Sequence, residues 1–129
     1  MPVLQYSLRD LFAARVADLN ATRTARAYIE GVFNSQVPSE RAVDLSRESV
    51  VLAYARVRER FDFEQAQRLA DWILWNLSWF PESVSGHREV VESLGRLSYY
   101  RCYRIIPSWI VFDELADELP RFVRELAQR

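Results

Sequence analysis

The chain reads as an all-α protein, a compact bundle of five or six helices around a central tryptophan-rich helix. Three observations carry that reading. Apolar residues recur at spacings of three and four along most of the 129 residues, which is the period of a helix face and not the alternation of a strand. Three glycines and five prolines are too few for the many turns of a β-sandwich. The third observation is the stretch Phe61 to Phe80, FDFEQAQRLADWILWNLSWF, which holds three of the four tryptophans and three of the seven phenylalanines.

That stretch predicts the central helix. Asp62 reads as its N-cap and Gln65 as a capping-box partner reaching back, because the first-turn amides have no intrahelical acceptor. Ala66, Leu69, Ala70, Ile73 and Leu77 then form one apolar face, and Gln65, Arg68, Trp72, Trp75 or Asn76, and Trp79 form a second line. From Leu69 onward only Asp71, Asn76 and Ser78 interrupt the apolar character, so neighbours are expected to cover this half on all sides. Pro81 ends it, since the residue before a proline is driven out of the helical region. About 12 apolar-rich residues, with an acid among them, fall short of the roughly 20 that span a bilayer.

The remaining elements follow in order. Leu4, Leu8, Leu11, Phe12, Val16 and Leu19 predict an amphipathic first helix over 4–19. Asn20 to Thr24 are cap-type residues, after which Ala25, Tyr28, Ile29, Val32 and Phe33 mark a second helix. Ser35 to Arg47 turns polar around Pro38 and reads as the main loop, pinned by Val43 and Leu45. A third helix from Asp44 or Ser46 carries Val50, Val51, Tyr54, Val57 and Phe61, with Arg56, Arg58 and Arg60 near its end, where cations suit the helix dipole. Ser83 or Ser85 is the expected cap of a fifth helix running to Ile106 through Val90, Val91, Leu94, Leu97, Tyr100 or Arg101, and Ile105. Along it Val91, Gly95, Ser98 and Cys102 form a stripe of small residues that would admit a close neighbour, and the Trp72/Trp75/Trp79 line is the partner expected. Pro107 breaks this helix. Ser108 reads as the cap of a sixth, lined by Trp109, Phe112, Leu115 and Leu119, which Pro120 should kink or divide.

Composition bounds the function classes. A chain of this length is one domain, 1–129, able to bury a core of its own. All 17 basic residues are arginine, against 18 acids, for a net charge of −1. No long-range field towards nucleic acid or an anionic membrane follows, and the sequence argues against both partners. Local charge is only mildly graded, nine arginines against seven acids over 1–60 and three against five over 113–129. A lone cysteine excludes an internal disulfide, and MPVLQYSLRD lacks the basic segment and apolar run of a signal peptide. The expected location is the cytoplasm, or a virion assembled there.

No residue pattern demands a cofactor or a metal. Carboxylate-bridged metals in bundles use Glu-x-x-His pairs, and this chain has one histidine and no such pair. Cys102 and His87 would lie about 22 Å apart along one helix, beyond hydrogen-bond reach. Ser85-Gly86-His87 is not a nucleophile elbow, and no glycine-rich phosphate loop occurs. Two groups of residues are candidate sites. One is an aromatic pocket of Trp72, Trp75, Trp79, Tyr103 and Trp109, with Arg101 or Arg104 holding an anion, set against the plain alternative that the rings fill the core. The other is an interface pairing the arginines Arg56, Arg58 and Arg60 with the acids Asp113, Glu114, Asp117 and Glu118 of a partner or a second copy.

The strings DWILW–SWFPES, LSYYRCYR and SW–FDELADEL resemble small helical proteins of uncharacterised families, some of them phage or prophage encoded. The resemblance covers roughly the second half of the chain and implies no activity that could be carried to a residue. The favoured expectation is a non-enzymatic adaptor or structural subunit of a larger assembly, which associates with a protein partner or with itself. The alternative is a small-molecule-binding helical domain or small enzyme built on the Trp/Tyr pocket.

Overall fold

The computed structural model describes residues 7–36, 47–60, 62–84 and 86–128. Six α-helices account for most of them: α1 Leu8–Ala17, α2 Arg23–Gln36, α3 Arg47–Arg60, α4 Phe63–Trp79, α5 Arg88–Ile105 and α6 Val111–Ala127. A 3₁₀ turn, Pro81–Val84, joins α4 to α5, and no strand occurs among the described residues. The all-α reading is correct. Leu4, the loop anchors Val43 and Leu45, Phe61 and Ser85 lie outside the described residues.

Helix α4 is the centre, packed against α2, α3, α5, α6 and the 3₁₀ turn. Its cap is the predicted one: Asp62 Oδ1 accepts from the amides of Glu64 and Gln65 at 3.0 and 3.4 Å. The return bond expected from the Gln65 side chain is absent among the described residues. Ala66, Leu69, Ala70, Ile73 and Leu77 are all buried, joined by Leu74. With two apolar faces to cover, α4 meets different neighbours on each. Trp75 and Trp79 pack edge-on against Phe12 of α1 and Phe33 of α2 at 5.4 to 5.7 Å between centroids. The small-residue stripe of α5 therefore does not receive the tryptophans. It receives Ile73 of α4 and Leu119 of α6, and a Cβ on Gly95 would come within 2.9 and 2.7 Å of these two side chains. The glycine is there because three helices converge on it.

Several helix ends differ from the sequence reading, each for a local reason. Helix α1 begins at Ser7, where a full capping box with Asp10 satisfies two amides. Leu8 and Leu11, expected in the core, are exposed, since α1 packs on one side only, through Phe12 and Val16. Ser83 does not cap α5; its hydroxyl donates to the Phe80 carbonyl within the 3₁₀ turn, and His87 takes the N-cap position without a side-chain cap bond. On α3, Val50 and Val57 are buried while Val51 is exposed, and on α5 Leu97 and Ile105 likewise face outward.

Helix α5 does end just before Pro107, but the N-cap position of α6 is Ile110 and not Ser108, and α6 starts at Val111 behind a turn closed by the Trp109 amide on the Ile106 carbonyl. Nor does Pro120 divide α6, which runs unbroken from Val111 to Ala127. A proline there leaves the carbonyl of Ala116, four residues earlier, without its helical donor. Arg96 of α5 supplies one instead, Nε to Ala116 O at 2.8 Å.

Candidate functional site

Asp71 is a half-buried acid on the central helix, flanked by core side chains. The sequence places this acid in the half of α4 covered by neighbours, where an ionisable group requires partners. It has two: Tyr28 of α2 and Tyr99 of α5 each donate a hydroxyl to Oδ1 at 2.7 Å. Gln67, one turn back, donates to the Tyr28 oxygen at 2.9 Å. The Tyr28 and Tyr99 rings meet edge to face, and both touch Phe112 of α6, so the network is held from four helices. Burial pushes the Asp71 carboxyl up to about 6, although both tyrosine hydrogen bonds oppose that rise. Burial, and next the adjacent Asp71 charge, raise both tyrosines.

On one side Asp71 is open. Together with Trp72, Leu69 and Arg68 of α4, Ala53 of α3 and Ser35 and Gln36 of α2, it lines a cleft of about 530 Å³. Both tyrosine hydroxyls use Oδ1, and among the described residues nothing donates to Oδ2. The Arg68 guanidinium at the rim is turned to Glu64, 2.8 Å away, with both side chains largely exposed.

A second concavity lies between α5 and α6. Ser93, Arg96, Leu97 and Tyr100 form one wall, Ala116 and Asp117 the other, around about 420 Å³. Leu97 and Tyr100 recur on the outer face of α5. Beyond them Arg104 lies 6.0 Å over the Tyr100 ring, and the turn into α6 exposes half of Trp109 and 70% of Ile110.

The residues of the expected aromatic pocket are not gathered in one place. Trp75 and Trp79 are core rings, with the Arg15 guanidinium 4.1 Å over Trp79. Trp109 stacks on Phe112 and meets Phe63 edge-on near the other end of α4. Tyr103 packs half-buried against the core. Trp72 lines a cleft, beside Asp71. Arg101 donates to the backbone carbonyl of Arg58 at 3.0 Å, and Arg104 stays on the surface with Tyr100.

Of the interface candidates, Arg56 and Arg58 are exposed on α3, while the Arg60 side chain lies outside the described residues. The acids are partly engaged within the chain. Glu114 accepts from both the amide and the hydroxyl of Thr22, fixing the start of α2, and Glu118 pairs with Arg121 at 2.8 Å. Asp117 is exposed and Asp113 half-exposed. No ion pair joins the arginine set to the acid set among the described residues.

Cys102 and His87 stand at opposite ends of α5. Burial, reinforced by the Asp71 charge, pushes the Cys102 thiol up to about 12, which leaves it a protonated core residue at neutral pH. Among the described residues no group of three or more His, Cys, Asp or Glu side chains could hold a metal, and no helix is long and apolar enough to cross a membrane.

Comparison with family models, with curated proteins and with solved structures gave no match to this chain. No function is transferable from a relative, and the functional reading stands on these residues.

Proposed function

We propose that the protein is a non-enzymatic interaction subunit, an adaptor or structural part of a larger assembly, which docks a protein partner on its α5–α6 side. The observation that carries this reading is the groove flanked by the exposed Leu97 and Tyr100, on a pair of helices whose connecting turn also exposes Trp109 and Ile110. Exposed apolar side chains that cluster around a groove are what docking surfaces offer. Tyrosine, tryptophan and arginine are the residues that dominate interface energies, and Tyr100, Trp109, Arg96 and Arg104 supply all three. Asp117 on the facing wall adds a charge that fixes register more than it adds affinity. The resemblance of the second half of the chain to small helical proteins of uncharacterised families, some of them phage or prophage encoded, suits such a role, in the cytoplasm or in a particle assembled there.

The test is assembly state. Size-exclusion chromatography with light scattering, on the purified chain and on the complex recovered from its native extract, is expected to show an assembly larger than one chain. Leu97→Glu combined with Ile110→Glu should release it without changing the helical circular dichroism. A strict monomer that enters no complex, or a double variant that assembles as wild type does, overturns the reading.

A further inference from the structure

The Asp71 cleft has a chemistry of its own that docking on α5–α6 does not use. We propose that it binds a small organic cation, an ammonium group on a short apolar body, with Asp71 as the counter-charge and Trp72 as the ring beside it. The proposal is independent of the docking reading and concerns the opposite set of helices, α2, α3 and α4.

Four features define the ligand. A carboxylate enclosed by protein attracts a cation far more strongly than one in water, and Asp71, which lines the cleft, has one oxygen, Oδ1, committed to the two tyrosines and the other without a donor among the described residues. The tyrosines also lock the carboxylate in place, so no ordering of that side chain is required on binding. Trp72 lines the same cleft, and an indole is the best of the aromatic partners for a cation. Leu69 and Ala53 supply an apolar surface for a short hydrocarbon body. Ser35 and Gln36 belong to the last turn of α2, which contains no basic residue; the carbonyl end of a helix carries partial negative charge and favours the same sign of ligand.

An anion is the alternative that Arg68 would suggest. It fails on position: Arg68 is at the rim, is neutralised by Glu64, and would draw an anion towards the Asp71 carboxylate. Raising the Asp71 carboxyl to about 6 leaves it mostly ionised at neutral pH, and a bound ammonium would lower it again.

The experiment titrates hexylamine and its neutral counterpart hexanol into the full chain, followed by two-dimensional NMR of backbone amides and indole N–H groups. Hexylamine is expected to give saturable shifts at Ser35, Ala53, Leu69 and Trp72, and to bind about tenfold or more tighter than hexanol, the margin of one enclosed charge contact. Asp71→Asn keeps a carbonyl acceptor for both tyrosines and should bring hexylamine down to the level of hexanol. Ala53→Phe narrows the cleft from α3 without touching the network and should weaken hexylamine while the fold is retained, so the proposal stays testable if Asp71→Asn is unstable. Absence of saturable shifts, equal binding of the two compounds, shifts located elsewhere, or a folded Asp71→Asn or Ala53→Phe that binds hexylamine as wild type does would each overturn it.

Discussion

Asp71 links a single residue to the stability of the whole chain. Its carboxyl ionises near the ordinary 3.8 in the unfolded chain and near 6 in the folded one, so between these values the folded state holds the extra proton. Stability from this group is complete below the unfolded value and is lost as pH rises through about 6, by a quantity of order 3 kcal/mol at most. Asp71→Asn accepts the same tyrosine hydrogen bonds but cannot ionise. Urea unfolding of both chains between about pH 4 and about pH 7 should therefore give curves that diverge, with the wild type losing ground to the variant as pH rises. Parallel curves would mean that Asp71 is solvated as well in the folded chain as in the unfolded one. Glycine gives a second contrast at this scale. Gly95→Ala puts a methyl against Leu119 and Ile73 and should cost about 1–3 kcal/mol, as overpacking does. Gly31→Ala on the exposed side of α2 meets nothing and should gain about 0.5–1 kcal/mol of helix propensity. Melting temperatures that move together would sink the contrast.

At the scale of elements, Pro120 shows what a sequence pattern can and cannot say. Its effect on its own helix was legible: a missing donor at Ala116. Its outcome was not, because the replacement donor comes from Arg96, twenty residues earlier in the chain. The consequence is a coupling. Arg96→Met should cost about 1 kcal/mol where Pro120 is present, since a carbonyl then loses its partner, and much less in Pro120→Ala, where the restored amide serves it. Additive effects of the two substitutions would remove Arg96 from this role. The same limit runs through the fold. Helix periods, the Asp62 cap and the break at Pro107 are local and could be read directly. Which face of α4 meets which neighbour could not, since Trp75 and Ile73 are both apolar and only the packed bundle sends one to Phe12 and Phe33 and the other to Gly95. Ser7 with Asp10 was a legible capping box, hidden by the apolar period that continues back to Leu4. For the candidate site, Asp71 was visible as an acid in an apolar run, but its partners Tyr28 and Tyr99 lie 43 and 28 residues away and carry no mark in their own helices.

At the scale of the whole molecule, charge decides what long-range partners are possible. The chain carries 17 arginines and a net charge of −1, so any affinity for nucleic acid would have to come from arginines gathered on one face. The packing keeps the main groups on separate helix pairs: α1 rests on α2, while α3 rests on α4 and α5. Arg15 is spent on the Trp79 ring and the Leu126 carbonyl, and Arg26 on the carbonyls that close the turn from α1. Arg68, Arg88 and Arg121 are paired with glutamates. Among the described side chains of α3 the exposed arginines are Arg56 and Arg58, two charges against the several phosphate contacts that counterion release requires, each worth a slope of about 0.9 in the salt dependence. Fluorescence anisotropy with single- and double-stranded oligonucleotides at near-physiological salt is therefore expected to show no binding below the micromolar range. Sub-micromolar binding that falls steeply with added salt would show that the arginines converge in a way this packing does not provide, and would rank nucleic acid above a protein as the partner.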